Sequence, residues 1–351
     1  MVFRRGHIGR SVLIMSGVLF LCTGCISQSV KTGKISPEAH KSFDAAIAAH
    51  RAGENKIALK HAKKKLALNL KDFEKDDVQI SGDLEKIADI QWSLGNYDKS
   101  ATLYERALAI REKRLGATHQ LTGIIQGKLF RIYIKLNKMR EAEALYLRQI
   151  EAYEKSENPE RATHLDAQVT LAKLYESQGR YDKAEPYFLT YYKSWETKFG
   201  KNYSLTVNAK ARLAQFYKTA GNNGKAETLY LEVLASKEAR FGLNHHTTAV
   251  IMNNLARIYQ GQDEYAKAET FYVRAITAYE KNQGRTSRLD RAIFMSNLGD
   301  LYVAQDKFDK AEPMILQAFA IRLRELGADH EDTIESLNKL DKLYKAQNDQ
   351  L

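Results

Sequence analysis

Hydrophobic and polar positions along the chain keep a helical period in short stretches, broken at regular intervals by turn residues. The pattern is clearest over residues 171–191. Leu171, Ala172 and Tyr175 fall on one helical face, Gly179 interrupts it, and Ala184, Phe188 and Tyr191 form a second apolar face spaced i, i+4, i+7. This spacing predicts two short helices joined by a turn. Neither buries its apolar face alone.

The unit recurs. Gly179 has counterparts at Gly53, Gly95, Asn137, Gly221, Asp263, Asp306 and Asn348, 42 residues apart with one step of 43. Gly, Asn and Asp are the residues that best enter the left-handed backbone ending a helix. Two residues later stand Tyr97, Met139, Tyr181, Tyr265 and Phe308, with Asn223 as the exception. Five residues after each landmark come Ala58, Ser100, Ala142, Ala184, Ala226, Ala268 and Ala311, small enough to let paired helices approach closely. Nine residues after come Tyr104, Tyr146, Phe188, Tyr230 and Tyr272. A period this long predicts an all-α solenoid of seven helix pairs over residues 37–351. Leu337, Leu340, Leu343 and Tyr344 then mark a lone C-terminal helix that caps the last pair. Pro186 and Pro313 each follow Ala-Glu near the start of a second helix, where proline is tolerated.

The first 25 residues break from this pattern. Arg4, Arg5 and Arg10 precede an apolar run over residues 12–21, too short to span a bilayer comfortably, and Cys22-Thr23-Gly24-Cys25 ends it. The stretch reads as a secretory signal over residues 1–24 and resembles a bacterial lipoprotein signal. That resemblance implies cleavage before Cys25 and lipidation of Cys25. Ile26 in the next position implies sorting to the periplasmic side of the outer membrane in a Gram-negative cell. Residues 25–36 are polar and read as a flexible tether. Cys22 and Cys25 are the only cysteines of the 351 residues, so the body has no disulfide framework. Removing the signal takes away three arginines and no acid, so the formal net charge falls from +11 to +8.

The repeats themselves resemble the tetratricopeptide repeat in the long form of kinesin light chains. The matching stretches are Asn253-Asn254-Leu255-Ala256 with Tyr259, Ala184-Glu185-Pro186-Tyr187, and residues 106–116. The loop motif Leu-Gly-x-x-His-x-x-Thr occurs at residues 115–122 and 326–333, and with Phe in place of Leu at 241–248. The connections at 156–162 and 281–288 lack it, so differently shaped turns are expected there. The resemblance implies a right-handed α-α superhelix whose first helices line a concave groove.

Candidate chemistry is sparse. His119, His245 and His330 occupy one loop position, three residues before Thr122, Thr248 and Thr333, each expected to cap or precede the next first helix. Whole-repeat spacing keeps the three histidines from sharing one metal. No phosphate-loop, nucleophile-elbow or zinc-protease motif is present, so no catalytic residue, cofactor or metal is assigned. Asp182, Glu185 and Asp309 sit at helix starts, where they favour the macrodipole. Basic residues are interleaved with Glu and aromatics fall at core positions, which argues against nucleic acid. Lys56, Lys60, Lys63, Lys64 and Lys65 crowd the second helix of the first repeat, as a solvated capping face or a contact for anionic headgroups.

Positions flanking the first-helix core residues are expected to point into the groove. They give Lys128, Arg131, Lys173, Arg212, Gln215, Lys218, Asn253, Asn254, Arg257 and Asn297. Cations beside amides suit an acidic or carboxylate-bearing peptide segment, because amides satisfy both donors and acceptors of an extended backbone. The functional expectation is an exported, lipid-anchored adaptor that binds a protein or peptide partner in the cell envelope and is not an enzyme. An assembly factor for a pilus, secretin or outer-membrane protein, and a tether for a peptidoglycan-active enzyme, are the alternatives.

Overall fold

A computed structural model of the protein describes residues 34–156, 162–243, 245–280 and 284–348. The expected signal, Cys25 and most of the tether lie outside them, as do large parts of the connections at 156–162 and 281–288.

Among the described residues every regular element is an α-helix. In chain order they are α1 (Pro37–Arg51), α2 (Asn55–Asp72), α3 (Val78–Ser93), α4 (Tyr97–Leu115), α5 (Gln120–Lys135), α6 (Met139–Glu154), α7 (Ala162–Ser177) and α8 (Tyr181–Phe199). Then come α9 (Ser204–Thr219) and α10 (Asn223–Phe241), α11 (His246–Gly261) and α12 (Tyr265–Glu280), α13 (Arg285–Val303) and α14 (Phe308–Leu326), and the unpaired α15 (Glu331–Asn348). The chain divides into two compact units, the first ending at Asn96 and the second beginning at Tyr97.

The turn landmarks behave as their residue types require. Gly53, Gly95, Asn137, Gly179, Gly221, Asp263 and Asp306 all have positive φ, between 57° and 78°. Each second helix begins two residues later. The closing hydrogen bond is the same each time: Arg180 N–H donates to the Tyr175 carbonyl at 2.9 Å, Asn222 N–H to Tyr217 at 2.8 Å, and Lys307 N–H to Tyr302 at 2.9 Å. This is the 6→1 bond of a Schellman motif, which satisfies a carbonyl that the helix end leaves open. Asn348 differs, because it is the last residue of α15.

Four of the connections between successive second and first helices use a second glycine of positive φ, at Gly116, Gly200, Gly242 and Gly327. Gly200, Gly242 and Gly327 have φ from 83° to 92° with ψ from 167° to 170°, a region open essentially only to glycine. Gly200 belongs to a fourth copy of the loop, residues 199–206, with Phe199 and Tyr203 in the Leu and His places. The helix cap is the histidine and not the threonine. His119 Nδ1 accepts the Leu121 N–H at 3.1 Å, His245 Nδ1 accepts Thr247 N–H at 3.3 Å, and His330 Nδ1 accepts Asp332 N–H at 3.2 Å. Thr122 and Thr248 are buried one turn inside, and their hydroxyls donate back to the Gly116 and Gly242 carbonyls at 2.9 and 3.1 Å. The three histidines are thus separate caps.

Packing follows the period. All seven small residues five after a landmark have zero exposure. Tyr104, Tyr146, Phe188, Tyr230 and Tyr272 are buried beside them. Pro186 and Pro313 lie inside α8 and α14 rather than in their first turn.

In the first unit, Asp83 is fully buried and gathers Lys65 Nζ at 2.6 Å and Asn69 Nδ2 at 2.6 Å, while Lys65 also lies 4.1 Å from the Phe43 ring centroid. Lys64 pairs with Glu38 at 2.7 Å. Lys56, Lys60 and Lys63 are exposed. The basic stretch of α2 is therefore part structural and part solvated.

A cation and tyrosine face on the first helices

Within the second unit, the first helices are tied together by a ladder that single-residue inspection of the sequence had missed. The tyrosine four residues before each landmark donates its hydroxyl to a glutamate of the preceding second helix. Tyr175 bonds Glu143 at 2.9 Å, Tyr217 bonds Glu185 at 2.7 Å, Tyr259 bonds Glu227 at 2.8 Å, Tyr302 bonds Glu269 at 2.8 Å and Tyr344 bonds Glu312 at 2.7 Å. Tyr133 does the same with Glu105 at 2.9 Å. Burial together with the carboxylate pushes the Tyr259 and Tyr302 hydroxyls up to about 12. Glu185 is thus a joint between repeats, holding Tyr217 and Lys225, and both hydrogen bonds keep its carboxyl below the usual range. The signal was legible in principle: Glu143, Glu185, Glu227, Glu269 and Glu312 each stand six residues after a landmark.

With the helices fixed in this way, α7, α9 and α11 bring four of the expected cations into one electrostatic neighbourhood. Lys173, Arg212 and Arg257 are exposed and Lys218 is half-buried. Burial lowers the Lys173 ammonium, and Arg212 adds to the shift. Burial lowers Lys218 to about 8, and Arg257 adds to it. Tyr230 lies within the influence of both Arg212 and Arg257. No described residue makes a hydrogen bond or ion pair with the side chains of Lys173, Arg212 or Arg257. The amides are engaged: Lys218 Nζ donates to Asn254 Oδ1 at 2.9 Å, and Gln215 Oε1 accepts the Tyr230 hydroxyl at 3.0 Å.

Other expected residues fall elsewhere. Asn253 is 7% exposed and does not line an open face. Its Oδ1 accepts the Asn297 Nδ2 at 2.9 Å, joining α11 to α13, because this position faces the next first helix. Ser296 is buried for the same reason. Lys128 and Arg131 stand on α5, with Lys128 Nζ 5.6 Å from the Tyr104 ring centroid. At the other end Lys339 of α15 donates to Asp300 at 2.6 Å and to Ser296 at 2.9 Å, which neutralises the acid there. The cationic face is thus centred on α7, α9 and α11.

Helix pairs closed by a Schellman turn, small residues at the crossing and a 42-residue step are the marks of one repeat family, and its family model, the tetratricopeptide repeat, matches residues 80–155, 129–197, 203–281 and 290–350. The chain belongs to the tetratricopeptide-repeat family. Among solved structures, this tetratricopeptide protein is similar to BtubC (BKLC) from P. vanneervenii, at 23% identity over 66% of this chain and 91% of that one, with a TM-score of 0.53. It is similar to the sensor-bearing signal transduction ATPase with numerous domains PH0952 from Pyrococcus horikoshii, at 17% identity over 88% of this chain and 44% of that one, with a TM-score of 0.55. A Podosopora anserina protein described as a kinesin light chain with nearly identical TPR-like repeats matches at 19% identity over 59% of this chain and 99% of that one, with a TM-score of 0.49. At these identities the structures show the fold alone. Comparison with curated proteins gave no match. Tetratricopeptide repeats serve in general as non-catalytic scaffolds for protein–protein interaction, and that is the coarse function of this chain.

Proposed function

We propose that this protein is an exported, lipid-anchored tetratricopeptide adaptor that captures an acidic peptide segment of an envelope partner on α7, α9 and α11. The observation that carries the reading is the set Lys173, Arg212 and Arg257, none of them in a hydrogen bond or ion pair with a described residue, with Lys218 lowered to about 8 beside it. Asp166 and Glu176 lie near Lys173 but form no ion pair with Arg212 or Arg257, so like charges held together still raise the free energy of the empty face, and a carboxylate-rich ligand relieves that repulsion. Asn254 adds an amide nitrogen beside the cations that is able to donate to peptide backbone. The lipidated Cys25 would tether the adaptor to a membrane surface and raise its local concentration there. The lipoprotein-like residues 22–25 and the polar stretch after them support that part of the reading.

Two experiments test the two parts. A photo-crosslinking residue at Lys173 or Arg257 should give one discrete product in native cells, and the same probe at Leu231, 40% exposed on α10, should not. Arg212→Glu with Arg257→Glu should abolish the product. Crosslinks from Leu231 alone, or a product indifferent to the charge reversals, would refute the groove. Fractionation of wild type against Cys25→Ala tests the anchor, with membrane retention expected to depend on Cys25.

A further inference from the structure

The repeat register builds a second arrangement away from the cationic face. Sixteen residues after the landmarks from Gly95 to Asp306, near the end of a second helix, stand Arg111, Tyr153, Trp195, Lys237, Tyr279 and Arg322. Four of them spend their polar head on a neighbouring loop or helix. Arg111 Nη1 donates to the Leu121 carbonyl at 2.7 Å and Arg322 Nη1 to Ser336 Oγ at 2.7 Å. The Tyr153 hydroxyl points to the Thr118 carbonyl at 3.5 Å, and the Tyr279 hydroxyl donates to Asp290 Oδ2 at 3.0 Å. Lys237 in α10 occupies the same register and is 9% exposed, yet its ammonium has no hydrogen bond or ion pair with any described residue.

Lys237 lines a cavity of about 490 Å³, open to solvent, between α10 and the start of α9. Arg240, Asn202 and Asn208 line it too, and Val207 and Phe241 give it apolar wall. The carboxylates along α10 are taken: Glu232 pairs with Lys210 at 2.6 Å and Glu238 with Arg274 at 2.7 Å. Arg240 has no ion pair with a described residue, and its guanidinium lies 5.1 Å from the Phe241 ring centroid. Tyr203 makes no side-chain cap at the start of α9, and an uncapped helix start leaves N–H groups that an anion can take. Burial and Arg240 both lower the Lys237 ammonium, the sign of a charge held without a counterion.

We propose that this cavity is a binding site for a small organic anion, with an oxyanion head held by Lys237, Arg240 and the start of α9, and an apolar body against Val207 and Phe241. A buried ammonium without a partner is costly, and an oxyanion supplies both the charge and the acceptors that Lys237 lacks. The volume exceeds that of a bare oxyanion, which is why a body is assigned as well as a head. The site does not depend on the peptide-capture reading, since it lies on other side chains.

Calorimetric titration of the full chain with phenyl phosphate tests it, with benzyl alcohol as the neutral body. Phenyl phosphate should bind with a dissociation constant below about 1 mM, and benzyl alcohol should give no saturable heat. Lys237→Met should weaken phenyl phosphate about tenfold or more, and the exposed Arg240→Gln about tenfold, as expected for lost charge-assisted hydrogen bonds. Circular dichroism of both variants should match wild type, and Arg240→Gln carries the test if Lys237→Met does not fold. Arg257→Glu should leave the affinity unchanged. Absence of saturable binding to wild type overturns the proposal. So does unchanged affinity in the folded cavity variants, or a loss confined to Arg257→Glu, which would move the anion to the cationic face.

Discussion

Replacing Gly299 by Ala should destabilise the protein, although the same change inside an ordinary helix stabilises. Gly299 lies in α13, and a Cβ built on it would stand 2.5 Å from Ile315 Cγ1 and 3.2 Å from Ile315 Cδ1 of α14. Carbon atoms rest about 3.5–4.0 Å apart, so the methyl enters about an ångström too deep. Ile315 is 1% exposed and has no open space to turn into. Overpacking of this kind costs about 1–3 kcal/mol, and exchanging Gly for Ala in a helix returns about 1 kcal/mol. The net expectation is a loss of up to about 2 kcal/mol. Gly127, inside α5, is the control, because a Cβ there meets nothing within 4 Å. Gly127→Ala should gain about 0.5–1 kcal/mol. The propensity gain is common to both variants, so their difference isolates the packing cost. Urea unfolding followed by far-UV circular dichroism measures it. In an Ile315→Ala background, Gly299→Ala should turn stabilising. If Gly299→Ala stabilises wild type as much as Gly127→Ala does, the close approach of α13 and α14 is refuted.

Three further outcomes follow from the geometry. Tyr217→Phe removes the hydroxyl from Glu185 but leaves Lys225 on the carboxylate, so the loss should be about 1 kcal/mol by urea unfolding at neutral pH, and a double-mutant cycle with Glu185→Gln should show coupling between the two. Burial, His246 and Lys237 hold the His245 imidazole below its ordinary 6.5, so the unfolded chain binds more protons between the folded value and 6.5. The His245 contribution to stability is therefore complete above pH 6.5 and lost as pH falls through the folded value; His245→Asn, which caps without titrating, should flatten that part of the urea-midpoint profile between pH 8 and 5. Lys218 near 8 predicts that an acidic peptide docking beside it draws a proton from solution around pH 8–9, read as a buffer-dependent binding enthalpy; a buffer-independent enthalpy would place the peptide away from Lys218.

How much of this was visible beforehand depends on the range over which each feature is decided. The landmarks at Gly53, Gly95, Asn137, Gly179, Gly221, Asp263 and Asp306 were legible because a helix end is a local event, set by which residues tolerate positive φ. The buried alanines five residues later were legible because their size matters at every crossing. The fourth copy of the loop at residues 199–206 was hidden by Phe199 and Tyr203, although Gly200 keeps the glycine-only backbone. The histidine caps were hidden because an imidazole at that position gives no sign of the direction its Nδ1 faces.

The sequence by itself determined the class and the period of the repeats, since each depends on residue types at fixed local spacing. Its candidate groove was a list of side chains on one register of the first helices. Only the tertiary structure separated that list, leaving Lys173, Arg212 and Arg257 open, half-burying Lys218, and turning Asn253 onto Asn297 in the next first helix. It also decided that Tyr217 and Glu185 are joined, that Gly299 is crowded by Ile315, and that Lys237 lacks a partner in a register where Arg111 and Arg322 have one. Those outcomes rest on distances between residues 10 to 44 positions apart. Local propensity does not encode such distances; the packing of one helix against the next sets them.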